Sequence, residues 1–336
     1  MPTVTLIPGD GVGPELWATA RLVLDEVTAA ITWELVEAGE LAFARTGCAL
    51  PNEVMDSVFR NQVALKGPLT NPGRNYPSPT AELRKAMDLW CNVRVGEALS
   101  GVRTRYPGAS ITVIRETTED LGSSTSHFLG PDVGVALKVT TRATVARLAQ
   151  FALGYAEARG HKNVVVPHHG AILRTTDGLF VSVVMEEARE RPGLNVVPEL
   201  IDTVLMHLVQ DPSGCDVILT NNFYGGFFAG LVAGLTGGVG LMASANLGGG
   251  RAALFEPAHG TAPKYVGQNK VNPMAMILAG ALLLEHLGLI EESDAVRRAV
   301  RDVMAEGRYL TYDQGGTSTT VEMAQAVARH LHRPTQ

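Results

Sequence analysis

Short apolar runs alternate with segments of helical spacing along the whole chain. Val4–Ile7 reads as a strand and leads into the turn Pro8-Gly9-Asp10-Gly11. Pro14 stands where a first helical turn tolerates proline, and Leu16, Ala20, Val23, Leu24 and Val27 follow at helical spacing. Val63–Leu65, Ile111–Ile114, Val164–Val166 and Val217–Leu219 are short runs of the buried-strand type. Thr144–Arg159 reads as a helix with Val145, Leu148, Ala149 and Ala156 on one face. The longest apolar run, Met274–Leu284, is ended by Glu285; it is too short to span a bilayer and reads as a buried helix. This alternation predicts an α/β fold with a largely parallel sheet. No repeat of fixed period and no low-complexity linker divides the chain, and His330–Gln336 reads as a frayed tail.

The chain has 336 residues, too many for one small core and enough for about two domains. With 46% hydrophobic and 18% charged residues, disorder is excluded as the dominant state. Aromatic residues make up only 6%, so the core is aliphatic. The net charge of -6 lacks the basic excess of a nucleic-acid binder, so neither nucleic acid nor a membrane is expected as a partner. Cys48, Cys91 and Cys215 show no metal-binding spacing and exclude a disulfide framework. Met1 runs straight into the first strand with no basic leader. Together these predict a reducing, cytoplasmic setting.

Two segments carry candidate chemistry. Gly9-Asp10-Gly11-Val12-Gly13 follows a strand, but its spacing is not GxGxxG and no acidic residue closes a second strand about 20 positions on. It reads as a tight strand–helix turn. His259-Gly260-Thr261-Ala262-Pro263-Lys264-Tyr265, followed by Val271-Asn272-Pro273, is rich in small residues that let a ligand approach the backbone. There His259 suits an adenine ring, and Lys264 with Tyr265 suits a phosphate.

With Ile7–Glu15, Lys66-Gly67-Pro68, Leu83-Arg84-Lys85, Asn92-Val93-Arg94, Arg115–Glu119, Asp177–Phe180 and Asn222–Gly225 in this order, the chain resembles the isocitrate/isopropylmalate dehydrogenase family. The resemblance implies a two-domain α/β fold that is not a Rossmann fold, and a homodimer whose active sites borrow residues from the partner protomer. Residues 1–95 with 237–336 are expected to form a large, dinucleotide-binding domain, and 96–236 a small domain for dimerisation and substrate. Arg84, Arg94 and Arg115 match arginines that grip substrate carboxylates, and Ser78 matches a substrate-contacting serine. Thr70, His259, Gly260, Thr261, Ala262, Pro263, Asn272, Tyr312 and Asp313 match cofactor positions. Lys264-Tyr265 stands where NAD-specific members carry an acidic residue, which favours NADP over NAD. Gly316, where NADP-dependent members often carry arginine, weakens that preference.

The catalytic set departs from the family. Three aspartates there hold a divalent cation; here only Asp202 remains, and Gly226 and Gly230 replace the other two. His169 stands at the catalytic lysine, and Gly122 at the catalytic tyrosine. One carboxylate is a poor magnesium or manganese site. Losing a positioned proton donor or acceptor costs about 10²- to 10⁴-fold. No divalent metal is therefore expected, and metal-assisted decarboxylation gives way to other chemistry, with His169 as acid or base and Asp202 orienting an imidazole beside His168 or His127. A zinc site on His168 and His169 is not expected, because adjacent strand residues face opposite ways. Gly226 and Gly230 beside Phe227 and Phe228 suit a bulkier or less polar carboxylate than isocitrate, of the kind found in specialised metabolism. Two other readings stay open: a non-redox enzyme using the dinucleotide as ligand or substrate, and a non-catalytic regulatory homologue.

Overall fold

A computed structural model describes residues 1–73, 76–121 and 126–332. The chain divides into two compact units, one of residues 1–89, 97–108 and 236–336, the other of 90–96 and 109–235. The division differs from the expected one mainly in two stretches: 90–95 belong to the second unit, and 97–108 to the first.

The first unit opens with β1 (Thr3–Ile7), α1 (Gly13–Val27), β2 (Thr32–Leu35), α2 (Glu40–Thr46), α3 (Asn52–Asn61), β3 (Val63–Lys66) and α4 (Pro79–Ala86). The second holds β4 (Cys91–Glu97), whose last residue belongs to the first unit, and β5 (Ser110–Glu116), β6 (Ser126–Phe128) and β7 (Gly134–Ala136). It continues through α5 (Arg142–Ala158), β8 (Asn163–His168), α6 (Thr176–Ala188), β9 (Asn195–Leu200), α7 (Ile201–Gln210), β10 (Val217–Thr220) and α8 (Asn222–Leu235). The chain then returns to the first unit as β11 (Ala243–Leu247), β12 (Ala253–Pro257), α9 (Met274–His286), α10 (Ile290–Glu306) and α11 (Thr320–Leu331).

Strand order in the first unit is β2-β1-β3-β12-β11, parallel except for the β11–β12 pair. In the second it is β4-β5-β10-β8-β9, with β5, β10, β8 and β9 parallel. Both orders differ from the doubly wound dinucleotide fold. Each strand expected from the apolar runs is present. β3 and β10 are buried at every position, as continuous apolar runs require when both sheet faces are covered. α9 is buried almost all round, whereas α10 buries one stripe, Val296, Ala299, Val300, Val303 and Met304. The expected frayed tail is corrected in part: a capping box of Thr319 and Glu322 starts α11, and His330 lies buried within it.

The Gly9–Gly13 segment is a packing joint. Asp10 is buried, and its two carboxylate oxygens accept the Glu40 and Thr70 amides at 2.8 and 2.7 Å. Gly9 and Gly11 have positive φ, and a Cβ on either would strike Pro68 O or Thr261 O at 2.3 or 2.1 Å. The tight-turn reading of this motif therefore fits the structure. Its spacing brings the start of α1 against the His259 segment, where Thr261 O accepts the Val12 amide at 3.0 Å.

Candidate functional site

In the first unit the His259 segment closes a cavity of about 320 Å³. Val12, Val239 and Val271 give it apolar walls; His259, Tyr265, Asn272, Tyr312 and Asp313 are among its other lining residues. His259 Nδ1 lies 2.9 Å from Gly260 O, and a carbonyl can only accept, so Nδ1 carries the hydrogen. That leaves Nε2 as a lone-pair acceptor, and it is buried without a partner. Burial also holds the imidazole pKa below its ordinary value, against the pull of the Gly260 carbonyl. An unpaired buried acceptor in an apolar slot fits the amino edge of a purine.

Asp313 is held by three donors: the hydroxyl of Thr311 at 2.5 Å, and the amides of Asn272 and Gln314 at 3.0 and 3.1 Å. Asn272 also accepts the Met274 amide, which ties the pocket to the start of α9. Tyr265 and Tyr312 sit 5.3 Å apart, with the Lys264 ammonium over the first ring and the Lys270 ammonium over the second. The Tyr312 hydroxyl bonds to Tyr265, which lowers the Tyr265 pKa and raises that of Tyr312 to about 12. Thr70 meets Thr261 at 3.4 Å, while Pro263 and Lys264 open a short turn beside the cavity. These residues fit a dinucleotide. Lys270 went unnoticed in the sequence, although it precedes the Val271-Asn272-Pro273 motif directly. Gly316 is fixed by packing, because a Cβ there would lie 2.0 Å from Leu310 O.

The carboxylate-binding candidates fall in both units. Arg84, on α4, is already paired: its guanidinium meets Glu256 at 2.7 Å, and Glu256 meets the buried Lys66 at 2.6 Å. Burial would raise the Glu256 carboxyl, but Lys66 and Arg84 hold it well below the usual range. The β3–β12 register explains the pair, since Lys66 and Glu256 each follow the Leu65–Phe255 pairing. Asn246, diagonal across β11–β12, adds a bond at 2.9 Å. Nothing local in the sequence signalled Glu256. Ser78 is exposed at the start of α4 and spends no hydroxyl bond on capping.

In the second unit Arg94 lies on β4, and Arg115, at the carboxyl end of β5, reaches Asn222 at 2.6 Å. The Arg115 stem lies so close over Gly225 that a Cβ there would meet it at 2.4 Å. Gly226 and Gly230 differ: a Cβ on the first would meet only Arg115 Nη1, at 3.9 Å, and on the second nothing within 4 Å. Phe227 is exposed and packs edge-on against Phe223 at 5.2 Å.

His168 ends β8, so strand alternation does not reach His169 and the opposite-face argument fails there. His168 Nδ1 accepts the Gly170 amide at 3.0 Å; that ring is neutral in this bond and carries its hydrogen on Nε2. His169 donates its backbone amide to buried Asp177 at 2.8 Å, while its Nδ1 is buried without a partner. Asp177 also takes the Tyr224 hydroxyl at 2.9 Å and faces Lys138, which bonds Asp120. Asp202 is exposed on the first turn of α7 and accepts the Thr203 amide. His127 lies on β6, and Gly122 lies outside the described residues.

The family model "Isocitrate/isopropylmalate dehydrogenase" matches residues 3–327. The chain belongs to that family. It is 39% identical over 330 residues to the Arabidopsis thaliana protein named isocitrate dehydrogenase [NAD] catalytic subunit 5, mitochondrial, covering 98% of this chain and 88% of that protein. It is 37% identical to a Dictyostelium discoideum protein named as a mitochondrial regulatory chain of isocitrate dehydrogenase [NAD], covering 98% and 91%. A crystal structure of isocitrate dehydrogenase from Methylococcus capsulatus superposes with a TM-score of 0.96 at 36% identity, covering 99% of this chain and all of that one.

The family implies a divalent cation on three carboxylates. Here Asp202 is the remaining one, two positions are glycine in open space, and the described residues hold no group of three or more metal-binding side chains. The donor set does not fit that cation.

Proposed function

We propose that this family member binds a nicotinamide dinucleotide, NADP in preference to NAD, and acts on a carboxylate-bearing small molecule without the family's cation. One observation carries the reading: the α8 face that would supply two carboxylates presents Gly226 and Gly230, although both sites have room for side chains. The family's relatives named for NAD and the purine-sized slot at His259 support the dinucleotide. Lys264 beside Tyr265 supports the extra phosphate. When bound, the dinucleotide supplies hydride acceptance. The chain then has to bind carboxylate, through Arg94 and Arg115 in the second unit, and move a proton. His169 serves the proton, held in place by the bond from its amide to Asp177.

The reading includes a homodimer. The β6–β7 ribbon has only two strands, and Phe128, Leu129, Val133, Leu137 and Val139 on and around it are exposed. An apolar ribbon of this kind calls for a covering partner, and a second copy is the simplest. A cytoplasmic setting remains part of the proposal.

The test is NADPH binding and turnover of a panel of substituted malates in the presence of a chelator. Binding is expected without magnesium, and His169→Ala is expected to lose about 10²- to 10⁴-fold in rate with unchanged binding. Brisk magnesium-dependent turnover of isocitrate by the natural chain would overturn the proposal. The double variant Gly226→Asp/Gly230→Asp is expected to acquire a magnesium response that the natural chain lacks.

A second reading is a non-catalytic regulatory homologue, favoured by the 37% identity to a relative named as regulatory. It expects co-purification with a catalytic paralogue and no turnover by the isolated chain.

A further inference from the structure

We propose that Asn222 is a positioning residue: from the first turn of α8 it sets the guanidinium of Arg115 for an anionic group of the substrate. This rests on the reading above that Arg115 binds carboxylate.

The start of α8 does not need the Asn222 side chain. The Phe223 amide is taken by Asp120 Oδ2 at 2.8 Å, the Tyr224 amide by Asn221 Oδ1 at 3.1 Å, and the Gly225 amide by the Asn221 carbonyl at 3.2 Å. Asn222 is nonetheless buried, and both ends of its side-chain amide are used. Nδ2 donates to the Glu119 carbonyl at 2.9 Å, and Oδ1 accepts Arg115 Nη2 at 2.6 Å. A carbonyl can only accept and a guanidinium can only donate, so the amide has one orientation here. A carboxylate at this position could not donate to Glu119, and an apolar group could meet neither neighbour.

The surroundings hold that amide still. The β5–β10 register sets Arg115 beside Thr220, two residues before Asn222. Asp120 is buried with a positive φ of 71°; its Oδ1 takes the Lys138 ammonium at 2.8 Å, and its backbone amide bonds the Val139 carbonyl at 3.0 Å. A left-handed backbone at a buried aspartate persists where its surroundings over-determine it. The Glu119 carboxylate is bonded to Thr141 and Thr144 at the start of α5. Residues 119 and 120 are thus anchored on three sides. The Arg115 stem rests on the bare backbone of Gly225, and its head is tied to Asn222. With both ends set, Nη1 lies 3.9 Å from the point a Cβ on Gly226 would occupy, further along the same helix. A guanidinium already fixed in this way loses less freedom when it meets a carboxylate.

The test uses the full chain with NADPH, a chelator and the panel of substituted malates, with dissociation constants measured by calorimetry. Asn222→Ala keeps the Arg115 charge and frees its head; it is expected to weaken the tightest-bound panel member about three- to tenfold. Asn222→Asp is nearly isosteric, so it keeps the test intact where the alanine variant does not fold. It sets a negative charge on Arg115, and a loss of about tenfold or more is expected. A purely structural role predicts the same affinity in every variant that folds, as circular dichroism reports. Nitrogen NMR of labelled arginine, with Arg115 assigned from Arg115→Met, is expected to show restricted guanidinium rotation in the natural chain and free rotation in Asn222→Ala. If no panel member binds, or Arg115→Met binds as tightly as the natural chain, the carboxylate reading fails and the inference falls with it. If Arg115→Met loses binding while folded Asn222→Ala and Asn222→Asp bind as the natural chain does, the inference alone is overturned.

Discussion

Gly316 in the first unit and Gly230 in the second are the same residue under opposite constraints. The first is pinned against the Leu310 carbonyl, and the second faces open space on α8. Smallness at 316 is demanded by packing, so it says little about the ligand. Smallness at 226 and 230 is not demanded by packing within the chain. The surroundings follow the same division. Around the dinucleotide slot Asp10, Asp313 and Glu256 are each held by two or three donors, whereas the α8 face carries exposed aromatic rings and bare backbone.

The sharpest break to that comparison is Glu256→Ala. It leaves Lys66 as an uncompensated buried cation beside the half-buried Arg84, and a loss of about 3–5 kcal/mol is expected in urea unfolding. Acid acts on the same carboxyl. Its folded pKa is depressed, so its contribution is complete above the ordinary carboxylate range and is lost as pH falls through the folded value. A loss below about 1 kcal/mol would mean that the pair contributes little to the first unit.

A smaller effect sets the two glycines directly against each other. Gly316→Ala is expected to cost about 1–3 kcal/mol through overpacking. Gly230→Ala, in the interior of α8, is expected to gain about 0.5–1 kcal/mol. Thermal unfolding of both variants checks the pair; equal losses would remove the contrast.

The smallest effect is expected at His259. Its folded pKa is lowered, so the unfolded chain takes up a proton first on acidification. Stability is complete above about pH 6.5 and declines as pH falls toward the folded value. Dinucleotide affinity declines with it, because protonation removes the Nε2 acceptor. Binding isotherms between neutral and mildly acidic pH check this, and His259→Gln is expected to flatten the profile.

By itself the sequence determined five of the strands, β1, β3, β5, β8 and β10, three of the helices, α1, α5 and α9, and the family. Those signals are local: a period of apolar positions, or a motif read in order. It also led to the tight turn at Gly9–Gly13, because glycine there answers to the adjacent backbone. Only the tertiary structure decided that Arg84 is held by Glu256, 172 residues away, because the β3–β12 register brings Glu256 beside Lys66. Only it separated the pinned glycine from the free ones, placed Asp202 exposed on α7 with the Thr203 amide, and set Lys270 over Tyr312. Each of these depends on which distant backbone passes within a few ångströms, and spacing along a chain carries no such distance.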